Sequence, residues 1–306
     1  MTIHLRNVAP ACCLALIITA LPDSTADAHG GGHDRQSEPS IERAPSAREL
    51  VEAAQIAQKA HRFDEAADLL ERALTLEPDN DAAWLMSASL HLLVGRVDEA
   101  ASACRRIRHL PLLAVLTCRA RVRIARGEFK DALAEIETAL AIEPLEHSRP
   151  VWRAWATSVA GDAARMIDAR LAVKFYRAAL DIERNEQVRA ALVDTLLGMG
   201  SLTEADRLLG TSHRSLALHV RRLIVDRRLG RDIQSAAESL DREFQRYVSD
   251  GDYTHGREMA RFYLDVLPDA RQAASIAAHN FARQREFEDR LLCERSGSCE
   301  VSTEEV

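Results

Sequence analysis

Small and apolar residues recur along the chain at the spacing of one helical face, and the whole pattern itself repeats. Its centre is an alanine that returns at intervals of 34, 32, 40 and 33 residues. The five alanines are Ala66, Ala100, Ala132, Ala172 and Ala205. A period near 34 residues is typical of stacked helical hairpins, because a single hairpin cannot bury its apolar face alone. The pattern therefore predicts an all-α solenoid.

Further positions around each alanine fit the same unit. Side chains four positions on share its helical face; they are Leu70, Cys104, Ile136, Tyr176 and Leu209. Gly95, Gly127 and Gly200 lie five positions before three of the alanines, where a tight turn tolerates a positive φ. These features resemble the tetratricopeptide repeat. The resemblance implies a right-handed superhelical solenoid of antiparallel helix pairs.

The resemblance covers five repeats over residues 47–212, and helical pairs of weaker pattern follow over 213–292. In that second part we expect helices at 216–229, 233–248, 255–266 and 270–292. The third repeat has Arg119 and Arg123 where the family packs apolar side chains. Either the register shifts there or both guanidinium groups reach water. Residues 293–306 are expected to form an acidic tail.

The N-terminal residues have the pattern of a secretory signal peptide over 1–28. A basic Arg6 precedes an apolar run at 11–21, which is too short to span a bilayer. Small residues then permit cleavage near Ala26 or Ala28. We therefore expect a periplasmic or secreted protein without membrane insertion of the mature chain, beginning with a flexible tail over 29–46.

Export would place the four remaining cysteines in an oxidising compartment. Cys293 and Cys299 flank a short polar loop, so they are the candidate disulfide. Cys104 and Cys118 are predicted on neighbouring helices, whose axes are ~8–10 Å apart. A disulfide needs Cα atoms within ~7 Å. We therefore favour two separate buried thiols at these positions.

The chemistry of the chain argues against several classes of protein. The formal net charge of −7 disfavours a nucleic-acid surface. Motifs for phosphate binding, zinc proteolysis and serine hydrolysis are absent from the sequence. No catalytic residue or cofactor is predicted, and we expect a non-enzymatic protein.

One cluster supports a different hypothesis. His29 and His33, with nearby carboxylates, lie close to the N-terminus that cleavage would create. An α-amine, amide nitrogens and imidazoles are ligands for Cu(II), Ni(II) or Zn(II). A metal-handling periplasmic protein is therefore one alternative, and a solvated linker is the simpler interpretation of the same residues.

The resemblance to tetratricopeptide repeats also implies a concave groove, lined by the first helix of each pair. The matching residues are Val51, Gln55, Gln58, Leu85, Ser89, Leu92, Thr117, Arg121, Ile124, Thr157 and Gly161. Such a groove suits an extended peptide or an amphipathic helix with apolar anchors and a carboxylate for Arg121. The leading hypothesis is an exported scaffold that binds another protein in the cell envelope. A further alternative is an accessory subunit of an envelope enzyme.

Overall fold

The structure, a computed structural model, describes residues 44–142, 149–210 and 215–299. Fifteen helices and no strand occur in these ranges. The helices are α1 (Ala47–Lys59), α2 (Phe63–Leu76), α3 (Asp81–Leu93), α4 (Val97–Arg106), α5 (Leu112–Ala125), α6 (Phe129–Ile142), α7 (Pro150–Arg165), α8 (Ala169–Ile182), α9 (Glu186–Gly198), α10 (Leu202–Leu209), α11 (Leu216–Arg228), α12 (Gln234–Ser249), α13 (Gly256–Asp265), α14 (Ala270–Arg283) and α15 (Phe287–Arg295). The predicted all-α solenoid is confirmed.

The first fourteen helices form seven successive pairs, and α15 follows them. In every pair the fourth residue of the second helix is a buried alanine. These residues are Ala66, Ala100, Ala132, Ala172, Ala205, Ala237 and Ala273. Alanine at this place lets the two helices approach closely at little conformational cost. The sixth and seventh pairs thus keep the central feature of the repeat, although their sequences have a weaker pattern elsewhere.

The turns within the pairs need unusual backbone conformations. Gly95, Gly127 and Gly200 have φ values of +81°, +80° and +74°, in the left-handed region that glycine enters without steric cost. His61 takes the corresponding place in the first pair with a φ of +57°. A non-glycine residue in this region is uncommon, so its side chain is of interest at the functional site.

The buried apolar residues form two cores. The smaller core joins α1, α2 and α3, and the larger one runs from α3 to α14. Within the larger core, Ala120 is fully buried, so α5 keeps the register of the other first helices. Arg119 and Arg123 reach Glu135 at the surface, at 3.1 and 2.9 Å. Of the two interpretations of these arginines, the structure has the guanidinium groups extending to water.

The disulfide pattern differs in part from the sequence-based expectation. Cys293 and Cys299 are paired, with Cα atoms 5.3 Å apart. Cys104 and Cys118 are also paired, at 5.8 Å, so the prediction of two separate thiols is wrong. The distance between helix axes was a poor guide because Cα atoms lie ~2.3 Å from the axis. Two residues that face each other therefore come several ångströms closer than the axes do.

The C-terminal helices also depart from prediction. A single helix over 270–292 was expected, but α14 ends at Arg283 and α15 begins at Phe287. Gln284 is extended, and Glu286 is the N-cap of α15 in a capping box with Asp289. The break turns the end of the chain back toward the first pairs.

The predicted signal peptide and the tail over 29–46 lie outside the described residues, apart from 44–46. Ser46 caps α1, where its hydroxyl accepts from the Glu49 amide and the Glu49 carboxylate accepts in return. No helix among the residues that the structure describes is both long enough and apolar enough to cross a membrane.

Candidate functional site

The end of the chain folds back across the first four helix pairs. We term residues 283–299 the return segment, and the surface formed by the first helices of the pairs the inner face. Gln284 meets the turn of the first pair, and the Arg285 amide donates to the Leu93 carbonyl (2.7 Å) at the end of α3. Phe287 and Glu288 then reach α6 and α7. The return segment thus passes four pairs in chain order, and its side chains join residues 123 to 223 positions apart.

The first contact is made with His61. Its Nδ1 is 3.0 Å from the Gln284 amide nitrogen, and its carbonyl accepts from the Arg283 guanidinium at 3.2 Å. Burial lowers the pKa of His61 to about 4, with further lowering by nearby His255 and Arg257. The neutral ring can therefore accept the amide proton of Gln284. The left-handed turn at His61 is the place where the two ends of the solenoid meet.

Glu286 is the first acidic residue of the return segment. It pairs with Arg121 of α5 at 3.7 Å and with Arg257 of α13 at 2.8 Å. Burial opposes ionisation of Glu286, but these two guanidinium groups outweigh it and hold its pKa below the ordinary value. Arg121 also donates to Ser89 of α3 at 2.5 Å. The carboxylate that the sequence suggested for Arg121 is therefore supplied by the chain itself.

Glu288 makes a second set of ion pairs. It binds Arg165 of α7 and lies 3.4 Å from Arg261 of α13. Burial again disfavours its charge, yet the arginines lower the pKa of Glu288 to about 2. The Arg165 guanidinium also lies over the Phe287 ring, 5.7 Å from its centroid. Phe287 contacts Phe129 edge to face, with centroids 5.8 Å apart.

Asp289 fixes the helix α15 to α13 and α14. Both of its oxygens accept from Arg257 at 2.7 Å, and one also accepts from Asn280 at 2.7 Å. The other oxygen accepts from the Glu286 amide at 3.1 Å, which completes the capping box. Burial raises the pKa of Asp289 above its ordinary value, although Arg257 acts in the opposite direction. The hydrogen bonds of Asp289 offset part of the cost of burying its carboxyl group.

A buried ion-pair network supports the arginines that hold the return segment. Arg221 of α11 donates to both oxygens of Asp194, at 2.9 and 2.6 Å, and to Glu258, at 3.0 Å. Arg261 donates to the same Asp194 at 2.5 Å. The network thereby joins α9, α11 and α13, and it orients Arg261 toward Glu288.

Charged groups of α15 make several of its contacts with other helices. Its buried Leu292 and Cys293 belong to neither of the two cores. The aromatic contact of α15 is the one between Phe287 and Phe129, the first residue of α6. The contacts of α15 with the other helices therefore resemble a recognition interface more than the continuous apolar packing between the helix pairs.

The predicted groove residues are mostly inaccessible in this arrangement. Six of them are buried: Val51, Leu85, Ser89, Leu92, Thr117 and Thr157. Gly161 is buried as well, while Gln55, Gln58 and Ile124 are partly exposed. Arg121 is engaged by Ser89 and Glu286. The arginines that bind the return segment, Arg165, Arg257 and Arg261, were missed, because the sequence does not show that α7 and α13 converge on α15.

His29 and His33 lie outside the described residues. Among the described ones, no group of three or more His, Cys, Asp or Glu side chains is arranged to hold a metal ion.

Comparison with known families supports the resemblance. Residues 51–111 match the model of the tetratricopeptide repeat. This stretch, which includes most of the first two helix pairs, is therefore tetratricopeptide repeat sequence. Repeats of this kind serve as scaffolds for contacts between proteins. No curated protein sequence matches the chain.

Several solved structures are similar in fold. Pseudomonas aeruginosa PilF is 15% identical, with 76% of this chain and 97% of PilF covered and a TM-score of 0.45. PilW, described as a widely conserved type IV pilus biogenesis factor, is 16% identical, with 75% and 97% covered and a TM-score of 0.47. A tetratricopeptide repeat protein of Parabacteroides merdae is 16% identical, with 82% and 98% covered and a TM-score of 0.44. At this level of similarity, no role is transferred from these proteins.

We expect Gly95→Ala to loosen the return segment. A Cβ at Gly95 would lie 2.8 Å from Cδ and 3.0 Å from Cβ of Arg285, and its φ of +81° disfavours alanine. Gly200→Ala is the matched control, since its φ is +74° but its Cβ would meet no atom within 4 Å. Trypsin should cleave after Arg283 or Arg285 about five- to thirtyfold faster in Gly95→Ala than in the control, for an added cost of roughly 1–2 kcal/mol. Equal rates would show that Arg285 moves aside freely.

Acid should weaken the contact at His61. Because burial lowers the pKa of His61 from 6.5 to about 4, the unfolded chain binds a proton more readily than the folded one. Stability is therefore unaffected by this group above pH 6.5 and falls as the pH drops toward 4, by about 2 kcal/mol at pH 5. We expect His61→Asn, which tolerates a positive φ, to reduce the difference in urea midpoint between pH 7 and pH 5. An unchanged difference would assign the acid sensitivity to other groups.

Proposed function

We propose that this protein is an exported, non-enzymatic scaffold of the cell envelope that binds another protein through its inner face. The observation that carries the proposal is that side chains of the third, fourth and seventh helix pairs hold the short helix α15. A surface that seats a nine-residue helix with an aromatic ring and three carboxylates has the properties of a peptide-binding site. Tetratricopeptide repeats favour the same class of function.

Export is supported by the signal-like pattern over 1–28 and by the cysteines. Two disulfides are compatible with an oxidising compartment, and disulfides are rare in the reducing cytosol. The Cys104–Cys118 bond joins α4 to α5 within the larger core, where it ties the second pair to the third.

A non-enzymatic role is supported by the surroundings of the carboxyl groups whose pKa values are shifted. Asp162 accepts from the Tyr176 hydroxyl at 2.7 Å, and burial raises the pKa of both groups. A raised carboxyl pKa can indicate a general acid. Tyr176 is fully buried between α7 and α8, however, so this pair is better explained as a contact between helices. The carboxylates of Glu286, Glu288 and Asp289 are paired with arginine.

A pull-down from envelope extract with the mature chain as bait tests this function. We expect a protein at stoichiometric amounts, and its capture should fall when Arg165→Gln removes an inner-face charge. Arg170→Gln is the control, because Arg170 is exposed on α8. Absence of any protein partner, together with bound copper or nickel in the purified chain, would contradict the scaffold and favour metal handling by His29 and His33.

A further inference from the structure

We propose that the surface beneath the return segment is the receptor for an acidic helix of a partner protein, one with a phenylalanine between carboxylates. The return segment occupies this surface until the partner replaces it. This inference rests on the proposed scaffold function and names the chemistry of the ligand.

The charges of the surface define the first requirement of that ligand. Four guanidinium groups of the solenoid bind three carboxylates of the return segment. The pairs are Arg121–Glu286, Arg257–Glu286, Arg165–Glu288, Arg261–Glu288 and Arg257–Asp289. When the return segment leaves, Arg261 keeps its bond to Asp194 and Arg121 keeps its bond to Ser89, but all four guanidinium groups lose the carboxylates of the segment. A buried charge without a partner is costly. A replacing ligand must therefore bring carboxylates of its own.

The aromatic contact defines the second requirement. Phe287 lies between the edge of Phe129 and the Arg165 guanidinium. Arg165 therefore recognises a ring and the carboxylate that follows it in the same helix.

The return segment is built so that it can leave as a unit. Gln284 and Glu286 have extended backbone conformations between α14 and α15, which makes 284–286 the hinge. The helix α15 carries its own capping box, and its last turn is closed by the Cys293–Cys299 disulfide. Neither of the apolar cores loses a residue of α15 on opening. Its departure breaks these ion pairs and the aromatic contact and exposes the buried Leu292 and Cys293, while the two apolar cores of the solenoid stay intact.

A peptide supplied in trans tests the receptor. The probe is a fluorescent, oxidised peptide of residues 283–299, and the control peptide carries Gln at 286 and 288 and Asn at 289. The proteins are the wild-type full chain and the variant Glu286→Gln/Glu288→Gln, which weakens the segment in cis and keeps every receptor residue. We expect the variant to bind the acidic peptide at least about tenfold more tightly than the wild type does, equivalent to about 1.4 kcal/mol.

Two controls isolate the cause. Glu294→Gln lies on the exposed side of α15 and should leave peptide binding as in the wild type. The neutral control peptide should bind the variant at least tenfold more weakly than the acidic one. Circular dichroism first verifies that the helical content of each variant is that of the wild type.

A second measurement uses the wild-type chain, so that the proposal can be tested even if the variant does not fold. Excess acidic peptide added to the wild-type chain should accelerate tryptic cleavage after Arg285, because the displaced return segment becomes accessible. The neutral peptide should leave the rate unchanged.

Three results would overturn the proposal: equal binding of the acidic and neutral peptides, no binding to the variant with no acceleration of cleavage, or a dimer in which a second copy supplies the return segment. Light scattering identifies the dimer. The outcome is separable from that of the pull-down, because the peptide needs no natural partner. If a protein is captured but the peptide does not bind, the scaffold function is supported and the acidic receptor is contradicted. If the peptide binds but no protein is captured, the acidic receptor is supported and the scaffold function is contradicted.

Discussion

Arg221→Gln should lower the free energy of unfolding by about 3–5 kcal/mol, the range for removal of one partner from a buried ion pair. Arg221 is buried and satisfies both oxygens of Asp194 as well as Glu258. Glutamine cannot replace its charge, and Glu258 would be left buried without its arginine. The expected observation is a clear shift of the urea transition toward lower concentration.

The matched control for this substitution is Arg231→Gln. Arg231 pairs with Asp206 and Asp226, but its side chain is 47% exposed. Exposed pairs contribute little because water and salt screen them, so this variant should unfold close to the wild-type midpoint. If both variants unfold alike, water reaches Arg221 and the network is not a buried one. A fall in the affinity for the 283–299 peptide should accompany Arg221→Gln, since Arg261 loses part of its support.

Gly161→Ala should be almost as damaging, with an expected loss of roughly 3 kcal/mol from overpacking. A Cβ at Gly161 would lie 2.6 Å from two carbons of the Tyr176 ring. Tyr176 cannot move away easily, because it is fully buried and its hydroxyl donates to Asp162. The two helices of the fourth pair would have to separate. Thermal unfolding followed by far-UV circular dichroism should show a lower midpoint.

Gly198→Ala is the control, and it should change the stability in the opposite direction. Gly198 is the last residue of α9, it is exposed, and its Cβ would meet no atom within 4 Å. Alanine in a helix is favoured over glycine by about 0.5–1 kcal/mol, so this variant should be slightly more stable than the wild type. A Gly161→Ala protein as stable as the wild type would mean that the close approach of α7 to Tyr176 is not maintained in solution.

Local sequence determined the helices and their pairing. The alanine at the fourth position of each second helix, the glycines of the turns and the side chains four positions on are all features of one hairpin or its neighbour. They are readable because helical periodicity and turn chemistry act over a few residues. Even so, Ala237 and Ala273 were passed over, since the residues around them match the repeat less well than those around Ala66 or Ala100.

Only the tertiary structure decided what occupies the inner face. The sequence indicated a groove with Arg121 awaiting a carboxylate, but nothing local indicates that Glu286, 165 positions later, provides it. The same holds for Arg165 with Glu288, whose separation is 123 residues. Charged side chains on a helix are usually solvated. The sequence of one helix does not distinguish an arginine in water from an arginine that binds a carboxylate of a distant helix.

The cysteines show the same division between local and distant information. Cys293, in the last turn of α15, and Cys299 are only six positions apart, so their pairing was open to prediction from the sequence. Cys104 and Cys118 also lie near each other in sequence, but their pairing depends on the angle and rotation at which α4 meets α5. Periodicity predicts which face of a helix is buried. The curvature that accumulates over seven pairs, and that brings residue 284 to residue 61, follows from small rotations at each interface between pairs.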